Sequence, residues 1–147
     1  MKKQIAAIII LLTFFLVLNA VPVNAQANQK ITVEIPFRFM VVGDTYEAGQ
    51  YVIEWLDARN DPFMMTLNGA NTTEKKVFIT QNLPSETPVE NVQVVFLQYD
   101  EDTYFLSEIW TGSTKDGLLI PTGRIERKLE RFFKKKKQKV AIKASIQ

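Results

Sequence analysis

Residues 30–41 decide the fold, because they read KITVEIPFRFMV and alternate apolar with polar side chains. The apolar positions that share one face are Ile31, Val33, Ile35, Phe37, Phe39 and Val41. An alternation with a period of two residues is typical of a strand with one buried face. Pro36 interrupts the run and favours a bend or an edge position. The sequence therefore predicts that the folded part of the chain opens with a β-strand.

Further along the chain, short apolar runs alternate with turn residues. The runs predicted as strands are residues 50–56, 63–67, 75–81, 92–99 and 103–110. The last two form a predicted hairpin around the acidic turn Asp100-Glu101-Asp102. Residues 83–91 contain Pro84 and Pro88 and are predicted to be irregular. No helical period precedes residue 122, so the sequence predicts a small antiparallel sandwich or barrel of about six strands.

The N-terminus has the three-part layout of a secretory signal peptide. Lys2 and Lys3 precede an apolar run over residues 5–18, and Val23-Asn24-Ala25 offers small residues for cleavage. We predict that residues 1–25 are removed and that the protein is exported to the periplasm or the extracellular space. The alternative is an uncleaved membrane anchor, which normally needs about 20 apolar residues.

Composition excludes several classes of chemistry. The chain has no His and no Cys, so it has no Ser-His-Asp triad, no Cys-His pair, no disulfide and no His or Cys metal ligand. The acidic turn lacks the spacing of a calcium loop, and no pair of carboxylates is marked for hydrolysis. Exposed aromatics could stack on sugars, but Tyr51, Trp55, Tyr99, Tyr104 and Trp110 lie in strands that favour packing. The sequence predicts no catalytic residue, metal or cofactor.

Charge divides the chain into two parts. Residues 26–123 carry six basic and 14 acidic residues, whereas residues 124–147 carry ten basic and two acidic residues. We therefore divide the mature chain into a β domain over residues 26–121 and a basic C-terminal helix and tail over residues 122–147. At about 100° per residue the predicted helix is amphipathic, with an apolar stripe of Ile125, Leu129, Phe132 and Phe133.

Three interpretations of this tail remain open. The stripe could pack on the β domain and leave the lysines in solvent, and the basic residues could also bind an anionic surface such as phospholipid or lipopolysaccharide. Nucleic-acid binding is disfavoured by export and by the acidic β domain. The candidate residues for anionic-surface binding are Arg131, Lys134, Lys135, Lys136, Lys137 and Lys139.

Two groups of apolar and turn residues resemble an uncharacterised family of small exported bacterial β-rich proteins. The first is Phe37-x-Phe39-x-Val41-x-Gly43, followed by Ala48-Gly49-x-Tyr51-x-Ile53, and the second is Tyr104-Phe105-Leu106-Ser107-x-Ile109-Trp110. The resemblance covers residues 30–130 and implies a shared fold without a known activity. The chain departs from it at Tyr46-Glu47, where the family has Leu-Pro, and in its longer lysine run.

These observations predict a non-enzymatic exported β domain that acts as an envelope-associated binding or structural module. The alternative is a small β-barrel that carries an apolar ligand in an internal cavity. A hydrolase that uses two carboxylates is the third class considered. A protein partner cannot be named from the residues.

Overall fold

The computed structural model describes residues 29–57, 61–70, 75–133 and 137–147, with Asp57 described by its backbone alone. The predicted signal peptide lies outside these residues. The described elements are β1 (Lys30–Ile35), β2 (Phe39–Val41), β3 (Asp44–Tyr46), β4 (Gly49–Asp57), β5 (Asp61–Gly69), β6 (Lys75–Ile79), β7 (Gln81–Val89), β8 (Val92–Gln98), β9 (Tyr104–Thr111), β10 (Thr114–Leu119), α1 (Arg124–Phe132) and β11 (Gln138–Ile146).

The strands form one sheet that curls into an open half-barrel. Nine strands follow the order β3-β2-β9-β8-β11-β1-β4-β5-β6, and β10 and β7 continue from β9 as a branch. Neighbouring strands are antiparallel except β2 and β9, which are parallel. The prediction of an all-β fold is confirmed. The prediction of about six strands is wrong, because the described residues form eleven.

Four strands, β3, β7, β10 and β11, come from segments that the sequence does not predict as strands, and for β7 and β11 the physical reason is clear. β7 contains Pro84 and Pro88 but pairs only with β10 among the described strands. A strand at a sheet edge tolerates proline, because the N–H groups on its open side have no partner strand to which they would donate. The second segment is β11, which was assigned to the basic helix and tail of residues 122–147. The structure places it between β8 and β1, inside the sheet.

β11 has the alternation of a half-buried strand despite its lysines. Ile142, Ala144 and Ile146 pack against the main core, whereas Lys139 and Lys143 are exposed. The backbone of Lys30 and that of Gln147 exchange two hydrogen bonds of 3.0 and 2.9 Å, so the start of β1 lies beside the end of the chain. The boundary predicted at residue 121 therefore does not separate the sheet from the tail.

The concave face of the sheet holds the main hydrophobic core. Phe39 lies near its centre, and its ring contacts the rings of Tyr46, Tyr51 and Phe96 at centroid distances of 5.4, 5.1 and 5.4 Å. Phe37 stacks on Tyr104 at 3.9 Å at the edge of the cluster. The predicted burial of Phe39 is confirmed, and it follows from the period of two residues in the opening strand.

The convex face carries a second, smaller cluster made of Leu97, Tyr99 and Phe105, against which Met40, Leu129 and Phe133 pack. On the same face Trp110 is buried over Gly117: a Cβ atom on this glycine would lie 2.8 Å from the indole ring. Trp110 is thus buried as predicted, but on the face opposite Phe39. The convex cluster is where α1 meets the sheet.

Candidate functional site

A buried hydrogen bond attaches α1 to the sheet. Tyr99 follows β8 in the acidic hairpin turn, and its hydroxyl donates to Oε1 of Glu126 over 3.1 Å. Burial raises the pKa of the Glu126 carboxyl, although the bond from Tyr99 acts in the opposite direction. Burial and the nearby Glu126 carboxylate together raise the pKa of the Tyr99 hydroxyl. The contact therefore fixes which side of α1 faces the sheet.

This contact splits the predicted apolar stripe. Leu129 and Phe133 pack on the convex cluster, whereas Ile125 is 46% exposed and Phe132 is 82% exposed. The prediction of an amphipathic basic helix within the helix and tail of residues 122–147 is not supported, since α1 has nine residues and buries Glu126 instead of Ile125. Glu126 lies on the same side of α1 as Phe133. Its bond to Tyr99 therefore turns this side toward the sheet and leaves the opposite edge of the stripe, Ile125 and Phe132, facing solvent.

The exposed side of α1 forms what we call the outward face, made of Arg124, Ile125, Lys128, Arg131 and Phe132. All five residues are exposed. Ile125 and Phe132 are seven residues apart, about two turns, and therefore lie on one side of the helix. Sequence reasoning proposed only Arg131 of the three basic residues. Arg124 and Lys128 are visible in the sequence, but the exposure of their side of the helix depends on the contact of Glu126 with Tyr99, which no periodicity reveals.

The structure gives different surroundings to the other predicted surface residues. The Lys137 ammonium is 2.7 Å from Oε1 of Glu130, whose pKa it holds below its usual value, and it lies 5.8 Å from the centre of the Tyr99 ring. Lys139 contacts Oε1 of Glu108 at 2.5 Å. Lys134, Lys135 and Lys136 lie outside the described residues.

Glu108 is a buried carboxylate with both oxygens engaged. Its Oε2 accepts a hydrogen bond of 3.0 Å from the indole N–H of Trp110, and its Oε1 faces Lys139. The side chain of Glu108 is 8% exposed and that of Lys139 is 65% exposed. Lys139 therefore neutralises a buried carboxylate on the convex face in addition to contributing charge to the surface.

An open groove runs beside α1. Its first part is a cleft of about 420 Å³ lined by Tyr99, Arg127, Glu130, Arg131, Phe133 and Lys137. Its second part, of about 620 Å³, shares Tyr99, Phe133 and Lys137 with the first and adds Gln98, Asp100, Glu101 and Gln138. The groove thus has a basic end at α1, an aromatic floor and an acidic end at the hairpin turn.

The aromatic residues and the acidic turn that the sequence offered as further candidates are part of the packing of the fold. Tyr51, Tyr99 and Trp110 are buried, and Trp55 and Tyr104 pack partly buried against the main core. In the acidic turn, a hydrogen bond from Thr103 lowers the pKa of Asp100. Within the described ranges, no three His, Cys, Asp or Glu residues are grouped so as to hold a metal ion.

Within the same part of the chain, none of the helices has the length and apolar character needed to cross a bilayer. No protein-family model, curated protein or solved structure matches this chain. The outward face and the groove are therefore the features of this molecule that bear on its function.

Proposed function

We propose that the protein is a non-enzymatic module of the bacterial envelope that docks on anionic lipid surfaces, phospholipid or lipopolysaccharide, through the outward face of α1. One observation carries this proposal: Phe132 is 82% exposed beside Arg131 and Lys128, on a helix that is already fixed to the sheet. An aromatic ring surrounded by basic residues is typical of segments that lie in the membrane interface.

The energetics favour such docking when both kinds of side chain act together. Burial of an exposed Phe side chain contributes about 1.5–3 kcal/mol, and each basic residue near an anionic bilayer contributes about 1 kcal/mol. Stable attachment to a membrane generally requires two such signals. Phe132 and Ile125 supply the apolar contribution, and Arg124, Lys128 and Arg131 supply the charge.

The charge distribution also orients the molecule. Residues 26–123 have 14 acidic and six basic residues, while residues 124–147 have ten basic and two acidic residues. An anionic surface attracts the second part and repels the first. Docking through α1 would therefore bring a segment of the more basic part of the chain against the lipid.

Vesicle sedimentation tests the proposal. The wild type should bind vesicles that contain phosphatidylglycerol more tightly than vesicles of phosphatidylcholine alone, and binding should weaken as salt is raised, because the attraction is screened beyond about 8 Å. Phe132→Ser and the double change of Arg124 and Lys128 to Gln should each reduce binding at least tenfold. The matched control is Ile79→Ser, since Ile79 is 60% exposed on β6, outside the outward face.

Two results would overturn lipid docking. One is equal loss of binding in Phe132→Ser and Ile79→Ser, and the other is absence of wild-type binding to either vesicle. A carrier of apolar ligands would instead take up an apolar fluorescent probe at one molecule per chain without vesicles. That result, together with absent vesicle binding, would favour the alternative function.

The proposal includes export with cleavage of residues 1–25. Its support is the sequence Val23-Asn24-Ala25 after the apolar run. N-terminal sequencing of the protein recovered from envelope fractions should give Gln26 as the first residue. An intact Met1 on membrane-bound material would show that the segment is retained as an anchor.

A further inference from the structure

We infer that the basic end of the groove beside α1 binds a phosphomonoester, as carried by an anionic lipid headgroup. This inference rests on the proposed function and names the chemistry that the docked protein recognises. The site is the cleft of about 420 Å³ between α1 and the turn after β8. It lies next to the outward face, because Arg131 lines the cleft and directly precedes the exposed Phe132.

The charges that line the cleft match this ligand. Arg127, Arg131 and Lys137 give three positive charges and Glu130 gives one negative charge, so the lining sums to 3 − 1 = +2. Glu130 is held by Lys137 at 2.7 Å, which limits its repulsion of an anion. A phosphomonoester carries a charge of roughly −1.5 to −2 at neutral pH, whereas a phosphodiester carries only about −1.

The two arginines suit phosphate better than an isolated cation does. Arg127 and Arg131 are four residues apart on α1, so their side chains extend from one side of the helix. A guanidinium group offers a planar fork of N–H donors that fits two oxygens of one phosphate. Nη1 of Arg127 already donates to the backbone oxygen of Thr122 over 3.1 Å, which restrains the group beside the cleft.

The rest of the groove defines how a lipid would lie in it. Tyr99 and Phe133 form the aromatic floor, which fits the carbon atoms next to a phosphate. Asp100 and Glu101 line the far end and repel an anion. The phosphate is therefore confined to the end near α1.

Titration with water-soluble ligands below their micelle concentration tests this site. The probes are dihexanoyl phosphatidic acid, dihexanoyl phosphatidylglycerol and inorganic phosphate, followed by amide NMR shifts at Arg127, Arg131, Phe133 and Lys137. Phosphatidic acid should bind at least tenfold more tightly than phosphatidylglycerol. Arg127→Gln should weaken this binding at least fivefold. Arg38→Gln is the matched control, because Arg38 is an exposed arginine outside both the outward face and the cleft lining, and it should change binding less than twofold.

The two phosphate sources and the two proposals are separated by the results. Binding of inorganic phosphate as tight as that of phosphatidic acid would support the phosphomonoester site and identify free phosphate as its ligand. Equal binding of the two lipids, equal loss in the two arginine variants, or no shift with any probe would overturn the site. If the protein binds vesicles but does not prefer phosphatidic acid to phosphatidylglycerol, lipid docking stands and the cleft site is overturned. If it binds the dispersed short-chain lipids but no vesicles, lipid docking is overturned and the cleft site stands.

Discussion

Tyr99 and Glu126 lie 27 positions apart in the sequence and join the sheet to the helix through one hydrogen bond of 3.1 Å. The bond buries a carboxyl group between the convex cluster and α1. A buried carboxylate is costly even when it accepts a hydrogen bond, because it loses the solvation of its charge. The attachment of α1 is therefore tied to the protonation of Glu126.

This relationship predicts that stability depends on pH through Glu126. The pKa of Glu126 is raised in the folded protein, so the folded state binds the proton more tightly than the unfolded state does. The stability that comes from protonation of Glu126 is fully present below the unfolded pKa, near 4.5. It is lost as pH rises through the raised pKa of the folded state. Glu126→Gln mimics the protonated form and should be more stable than the wild type at pH 7.

Denaturant melts of both proteins from pH 3 to pH 8 check this prediction. The difference in the free energy of unfolding should shrink toward zero in acid. Glu130 has the opposite dependence, because its pKa is lowered by Lys137 and its contribution is lost as pH falls. Glu130 is present in both proteins, so the comparison isolates Glu126. A difference that does not change with pH would refute the assignment.

The contact between Trp110 and Gly117 predicts that the glycine cannot take a side chain. A Cβ atom at residue 117 would meet three atoms of the buried indole ring within 2.9 Å. Gly117→Ala should therefore reduce the free energy of unfolding by about 1–3 kcal/mol, as overpacking does elsewhere. In the background of Trp110→Leu, the same change should cost at least 0.5 kcal/mol less, by the usual measure of coupling between contacting residues. Additive losses would mean that the ring does not limit residue 117.

Truncation of Phe39 in the core should reduce stability far more than truncation of Phe132 on the outward face. Phe39 is 1% exposed among three aromatic rings, so Phe39→Ala should cost about 3–5 kcal/mol. Phe132→Ala should change stability by less than about 0.5 kcal/mol, as surface substitutions do. Urea melts of both variants measure the difference. A loss below about 1 kcal/mol for Phe39→Ala would place this residue on the wrong face of β2.

Lys139 should contribute more to stability than Lys143, another lysine of β11. Lys139→Gln removes the ammonium group from the carboxylate of Glu108, which stays buried and keeps its hydrogen bond from Trp110. Because the lysine side chain is largely exposed and screened by solvent, the expected loss is about 1 kcal/mol, below the values for fully buried pairs. Lys143→Gln removes the same charge from an exposed position of the same strand and should have no measurable effect. Thermal melts at low salt compare the two variants.

The predictions from the sequence succeeded where a local pattern was sufficient. The alternation around Phe39 correctly gave a strand and its buried face. The alternation of β11 is equally present, but the lysines of this segment favoured an interpretation as a solvated tail. Its burial depends on pairing with β1, more than 100 residues away in the sequence. Pairing over such a distance leaves no local signal.

The candidate site was only partly predictable for a similar reason. Its basic character follows from composition alone. Which side of α1 faces solvent depends on Tyr99, and the cleft depends on Lys137 lying beside the helix. Both are contacts between segments that are separate in sequence.

The position of β11 has a consequence for the order in which the fold can be completed. It follows the ten other described strands in sequence, yet it pairs with both β8 and β1 and so links two halves of the sheet. During synthesis β1, β4, β5 and β6 emerge early, but the backbone ladder between the halves cannot form until residues 138–146 have left the ribosome. Contacts between distant segments also make folding slow. The two halves of the sheet are therefore joined through their backbones only when β11 has paired with both β8 and β1.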